Sequence, residues 1–217
     1  MNVDDFKGKL AEGDKLHEIF VEQRKLMEKY EEIEERNGLL QTKDIPVNLD
    51  DRKGQQRIKD FFWRVTEELA EAWQALDEGV QNHFYEEVAD AFHFLVEVCI
   101  LADYWAEPPI PDIADDCLEG WFAVTLPADN RPVSQLLMGY KVFEIIQALG
   151  LAANCLKNKP WKQSHVLTDR DKFYYYLHSA FFNFIAFCKS AGLTADSLYN
   201  MYFRKNQVNQ FRQRSGY

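Results

Sequence analysis

The chain has 217 residues, 47% of them hydrophobic, and a formal net charge of −10 from 35 acidic and 25 basic side chains. That length and apolar content support a sizeable core, in one large helical domain or two small ones. The acidic balance argues against a surface for nucleic acid or for an anionic membrane, both of which need clustered Lys and Arg.

Cys99, Cys117, Cys155 and Cys188 form no CxxC pair, and three of them sit in apolar helical patterns, so they read as reduced core residues. No basic leader precedes an apolar run, and no uninterrupted apolar run approaches the roughly 18 residues of a membrane span. A cytosolic protein is expected.

Helix dominates along the chain. Residues 14 to 37 carry Leu16, Ile19, Phe20, Leu26 and Tyr30 among many charges and end at Asn37-Gly38, a common helix stop. A polar stretch with Pro46 and Asp50-Asp51 leads into a second helix from about Gln55 to Glu78, where Phe62, Val65, Leu69, Trp73 and Leu76 follow the helical period. Gly79 ends it. The third helix runs from about His83 to Ala106 on a stripe of Val88, Phe92, Leu95, Cys99 and Ala102, until EPPIP breaks it.

Residues 107 to 132 read as an irregular connector or lid around Trp121-Phe122. A fourth helix is expected from about Val133 to Lys157, a fifth from Asp169 to about Ala191, and a sixth from an N-cap at Thr194 to Gln213. The fifth is apolar nearly all round, the pattern of a helix buried at the centre of a bundle or across a subunit interface. The fold class is therefore all-α: a bundle of about six main helices in a single domain over residues 1–217. The hairpins 55–106 and 133–191 have similar lengths, which raises an internal duplication in which only the first copy carries acids.

Those acids form two pairs, Glu68/Glu71 and Glu87/Asp90, symmetric about Gly79. Residues three apart share a helix face. At a rise of 1.5 Å per residue, an antiparallel hairpin sets both pairs at one height, roughly 14 Å from the bend. Four clustered carboxylates need compensating positive charge. Oxygen ligands alone favour a hard divalent ion such as Mg2+, which commonly bridges carboxylates and substrate phosphates. The spacing alone also accommodates two solvated acidic faces.

The last helix is the electrical opposite. Lys205, Asn209 and Arg212 share one face, suited to a phosphate or, equally, to complementing the helix macrodipole. His93, beside Phe92 and Phe94, reads as a core histidine, and Trp63 and Trp73 read as packing residues. There is no Ser-His-Asp arrangement and no GxxxxGK[ST] phosphate loop.

EELAE followed by EEVADAFHF resembles the ExxE…ExxD signature of the all-α nucleoside triphosphate pyrophosphatases, which include MazG-like enzymes and dimeric dUTPases. The tail YFRKNQVNQFRQRSGY is similar to the dimeric dUTPase block of Lys-Asn, a second Asn, Arg-Gln and Gly-Tyr. EQRKLMEKYEEIEERNG is similar to the Gln-containing first helix of that family, and NKPWKQ to a loop of its protozoan members. The T-even phage dCTP/dUTP pyrophosphatases end at a similar Gly-Tyr, so a phage origin and action in the host cytoplasm are expected.

The resemblance implies that Glu68, Glu71, Glu87 and Asp90 ligate Mg2+ and that Glu68 or Glu71 also activates the attacking water. It implies that Lys205, Asn206, Asn209, Arg212 and Tyr217 hold phosphates and sugar, with Gln23 near the base. The family's usual Asn four residues after that Gln is Met27 here, which leaves the choice of base open. The implied activity is hydrolysis of a pyrimidine deoxynucleoside triphosphate, dUTP first and dCTP second, to monophosphate and pyrophosphate by a homodimer. A MazG-like activity on other or modified nucleotides and a non-catalytic helical interaction protein are the alternatives.

Overall fold

The computed structural model describes residues 8–40, 42–106, 116–125, 135–159 and 161–215. Seven helices and no strand are found among them: α1 (Lys15–Arg36), α2 (Arg52–Asp77), α3 (Gln81–Leu101), α4 (Cys117–Val124), α5 (Gln135–Cys155), α6 (Arg170–Ser190) and α7 (Ala195–Arg214). Polar caps set several of the starts. Asp14, Asp51, Asp116, Asp169 and Thr194 each accept a backbone N–H from the first turn, satisfying donors that have no partner inside the helix. The Asp51 cap begins α2 three residues earlier than the apolar period alone indicates.

Two antiparallel hairpins, α2/α3 and α5/α6, form the body of the bundle, and α1 and α7 close over α3. Gly79 turns the first hairpin at φ 74°, a conformation that L side chains rarely adopt. The second hairpin meets the first closely, because a Cβ on Gly139 would lie 2.8 Å from Cη2 of Trp73.

The helix buried on nearly every side is α3, rather than the apolar helix 170–190. Phe84, residues 87 to 89, 91 to 93 and 95 to 99, and Leu101 are all buried. Phe92 stacks on Phe184 of α6 with ring centroids 5.5 Å apart and meets Tyr202 of α7 edge-on. By contrast, α6 leaves Tyr175 68% exposed.

Residues 117 to 124 are helical where the sequence suggested an irregular connector. Asp14 of α1 accepts the Cys117 N–H at 2.7 Å, and Trp121 is fully buried, its indole N–H donating to the Ala106 carbonyl. Lys189 donates to the carbonyls of Phe122 and Thr125 and so secures the far end of α4. Trp73 packs as expected, but Trp63 is 59% exposed and donates to Glu67. Among the described residues only α5 is long and apolar enough to cross a membrane, and it lies along α6 and α2.

Candidate active site

The α2/α3 hairpin brings Glu68, Glu71 and Glu87 together, with one oxygen of each lying within 4.8 Å of the others. The register follows from the turn at Gly79, and further along the same pair of helices the rings of Phe61 and Phe94 are 6.1 Å apart. Glu71 is exposed, Glu68 half-buried and Glu87 buried. Glu87 also receives His83 Nδ1 at 3.0 Å.

The fourth acid, Asp90, is tied to a cation of the chain itself. Lys205 Nζ of α7 lies 2.6 Å from Asp90 Oδ2 and 3.0 Å from Glu86 Oε1. Burial raises the Asp90 carboxyl to about 6, outweighing the nearby ammonium, and Glu87 and Glu86 add to the rise. Burial likewise lifts Glu68 to about 8, helped by the hydrogen bond that its protonated carboxyl donates to Glu87 and by the charges of Asp90, Glu87 and Glu71. These are the electrostatics of a site short of positive charge.

A cavity of about 400 Å³ opens beside the cluster. Glu68 and Asp90 line it on one side, and Lys205, Asn209 and Arg212 of α7 on another, so the basic face of the last helix meets the acidic hairpin across one space. Gln23 of α1 lines the opposite end. Of the other residues singled out in the sequence, Asn206 is buried and does not line the cavity. Its amide lies 3.5 Å from the Tyr202 hydroxyl and accepts from Gln210, which fixes its place in α7 behind the wall. Tyr217 lies outside the described residues.

The end that holds Gln23 also contains residues the sequence did not mark. Glu97, Tyr30, Phe61, Arg64 and Phe94 line it together with His93. Glu97 is 3% exposed, and burial pushes its carboxyl up to about 8 against the pull of Arg57 and a hydrogen bond from Gln23. His93 is indeed buried, and burial pushes its imidazole down to about 3. One signal of Glu97 was available: Asp90, His93 and Glu97 are spaced i, i+3, i+7 on one face, an acid continuing the functional stripe into an apolar run.

An all-helical bundle with carboxylates on both arms of one hairpin, facing cations across a nucleotide-sized space, defines an all-α nucleoside triphosphate pyrophosphohydrolase. The family model for dUTPase matches residues 15–217, and the chain belongs to the dUTPase family. Its reaction is the hydrolysis of dUTP to dUMP and pyrophosphate. No curated protein and no solved structure matches the chain.

Proposed function

We propose that this dUTPase requires Mg2+ held by Glu68, Glu71, Glu87 and Asp90, accepts dCTP as a second substrate, and works in the cytoplasm as a homodimer. The observation that carries the metal reading is the pairing of three converging carboxylates with a fourth that has drawn in a buried ammonium. Oxygen donors with no sulfur ligand fit a hard cation that keeps part of its water shell. Bound there, Mg2+ supplies the positive charge that the carboxylates lack and that triphosphate oxygens demand.

The residues of the chain do the rest. Lys205, Asn209 and Arg212 hold phosphate oxygens from the α7 side, Arg212 by paired N–H donors and Lys205 as a point charge. Glu68, which faces the cavity where Glu71 does not, orients the attacking water toward the α-phosphorus and takes its proton. In-line attack releases pyrophosphate and leaves dUMP. Asn206 keeps the α7 wall in register.

The homodimer is supported by α5. Leu136, Tyr140, Phe143 and Leu151 are exposed along it, and its two charged residues, Lys141 and Glu144, pair with each other. An uncharged apolar strip of that length is usually covered.

Pyrophosphate release from dUTP and dCTP, with Mg2+ and with EDTA, tests the proposal on the wild type and on Glu68→Gln. The expected result is turnover that EDTA abolishes and that Glu68→Gln loses while its helical signal is retained. Turnover in EDTA equal to that in Mg2+ would remove the metal reading.

A further inference from the structure

The end of the cavity away from the carboxylate cluster contains a polar network that phosphate chemistry leaves unused. Gln23, His93, Glu97 and Tyr202 are all buried there. His93 faces an acceptor at each ring nitrogen: Nδ1 lies 2.8 Å from Gln23 Oε1, and Nε2 lies 3.2 Å from the Tyr202 carbonyl. A neutral imidazole has one N–H and can serve only one of them.

Two assignments can be drawn, and only the second satisfies every contact, because in the first the single Tyr202 hydroxyl proton faces acceptors at both Gln23 Oε1 and the Ile19 carbonyl. In the first, His93 is an imidazolium and Glu97 a carboxylate, two ions buried with an amide between them. In the second, the Gln23 amide is turned over, exchanging an oxygen and a nitrogen that heavy-atom positions do not distinguish. His93 Nε2–H then donates to the Tyr202 carbonyl, and the Gln23 NH2 donates to His93 Nδ1 and to the Tyr202 hydroxyl, 3.0 Å away. That hydroxyl donates to the Ile19 carbonyl at 3.2 Å, and Glu97 donates its acid proton to Gln23 across 3.1 Å. The second assignment leaves no ion buried. Burial favours it at both ends, since it raises Glu97 and lowers His93.

We propose that Glu97 acts as a neutral carboxylic acid at the base end of the site and is the residue that discriminates between pyrimidines. This rests on the reading that places the triphosphate beside Glu68, Asp90 and Lys205. Asp90 and Glu97 are seven residues apart on α3, roughly 10 Å along the axis, a span that a deoxynucleoside fills. Phe61 and Phe94, in contact with each other at 6.1 Å between ring centroids, line the same cavity and offer an apolar wall for the base.

With its proton directed at Gln23, Glu97 presents one acceptor oxygen to the N3–H of uracil. Loss of that proton makes both oxygens acceptors and sets negative charge against uracil O4, while the amino group of cytosine is still accommodated. The groups around Glu97 are Tyr30, Glu31 and Glu34 from α1, Arg57, Asp60 and Arg64 from α2, Tyr202 and Arg212 from α7, and His93 and Asp90 on α3 itself. Arg57, Arg64 and Arg212 favour the ionised form, but Arg57 already pairs with Glu34 and Arg64 with Glu67, each at 2.9 Å.

Steady-state hydrolysis of dUTP in Mg2+ from about pH 6 to about pH 9, with dCTP as competitor, tests this on the wild type, Glu97→Gln and Glu97→Leu. Gln keeps a donor and an acceptor but does not titrate. It should retain dUTP kcat/KM within about threefold at neutral pH, while Leu loses about 30-fold or more, chiefly through KM. In the wild type, dUTP kcat/KM should fall about tenfold as pH rises through 8, with dCTP competing more strongly. Glu97→Gln should show neither change beyond the titration of uracil itself, which is common to both proteins. Equal damage by Gln and Leu at neutral pH, or superimposable pH profiles for the wild type and Glu97→Gln, overturns the assignment of Glu97 while leaving the reading of the site intact. Absence of Mg2+-dependent turnover in the wild type overturns both.

Discussion

Lys205 Nζ sits 2.6 Å from Asp90 Oδ2, with the two side chains only 7% and 17% exposed, so the last helix delivers a buried cation to the acidic hairpin. Charges withdrawn from water persist only when paired, and removing one partner leaves the other uncompensated. Lys205→Met should therefore cost on the order of 3 kcal/mol of stability. Turnover of dUTP should fall by about 100-fold, because the same ammonium lines the cavity and is the phosphate contact proposed above. Added Mg2+ should recover stability, by charging the cluster, but not turnover. Thermal denaturation and steady-state rates decide it, and a variant as stable and active as the wild type would refute the shared role.

The raised carboxyls make stability depend on pH in a specific direction. Glu68 and Glu97, lifted to about 8 from the ordinary glutamate value of 4.5, hold protons in the folded state that the unfolded chain has released. Stability without a metal is then greatest below about pH 4.5 as far as these groups are concerned, and is lost as pH rises toward 8. A divalent cation held as proposed should reverse the trend at Glu68, where it would compete with protons, but not at Glu97. Melting curves in EDTA and in Mg2+ at about pH 5.5 and about pH 8 should show a larger protective effect at the higher pH. Equal protection at the two values would contradict the assignment of the metal to these carboxylates.

The hairpin and the facing of its acids were legible because an apolar stripe of helical period and a single glycine at the turn fix which residues share a height. The elements that escaped are those whose identity lies in distant partners. Residues 117 to 124 are too few to show a period, and their helix is held by Asp14, Ala106 and Lys189. Asn206 follows Lys205 in sequence, but one residue further round α7 it faces Tyr202 rather than the cavity. Glu97 looks like an isolated charge in an apolar run until Gln23 and His93 arrive from elsewhere in the fold.

Tyr202 holds the network of Gln23, His93 and Glu97 from α7. Its ring stacks on His93 at 4.0 Å, and its hydroxyl lies 3.0 Å from Gln23 and 3.2 Å from the Ile19 carbonyl. Tyr202→Phe keeps the stack and removes the hydroxyl, leaving a buried amide atom and a carbonyl short of a partner. The expected loss is about 1–3 kcal/mol of stability with a several-fold rise in dUTP KM and little change in kcat. A fall in kcat at unchanged KM would place Tyr202 with the phosphate machinery instead.

The exposed strip of α5 carries the prediction about assembly. Tyr140 and Phe143, 56% and 57% exposed, stand one turn apart with Leu136 on the same side at 84%. Burying these side chains is favourable by roughly 25 cal/mol for each Å² removed from water, and a charge placed among them must be desolvated on association. Phe143→Glu touches nothing in the cavity and should leave the fold intact, since its side chain already faces solvent. Sedimentation equilibrium should find the wild type as a dimer at micromolar concentration and Phe143→Glu as a monomer. If both sediment as dimers, the interface lies on another face; if both are monomers, the strip is covered by something other than a second copy of the chain.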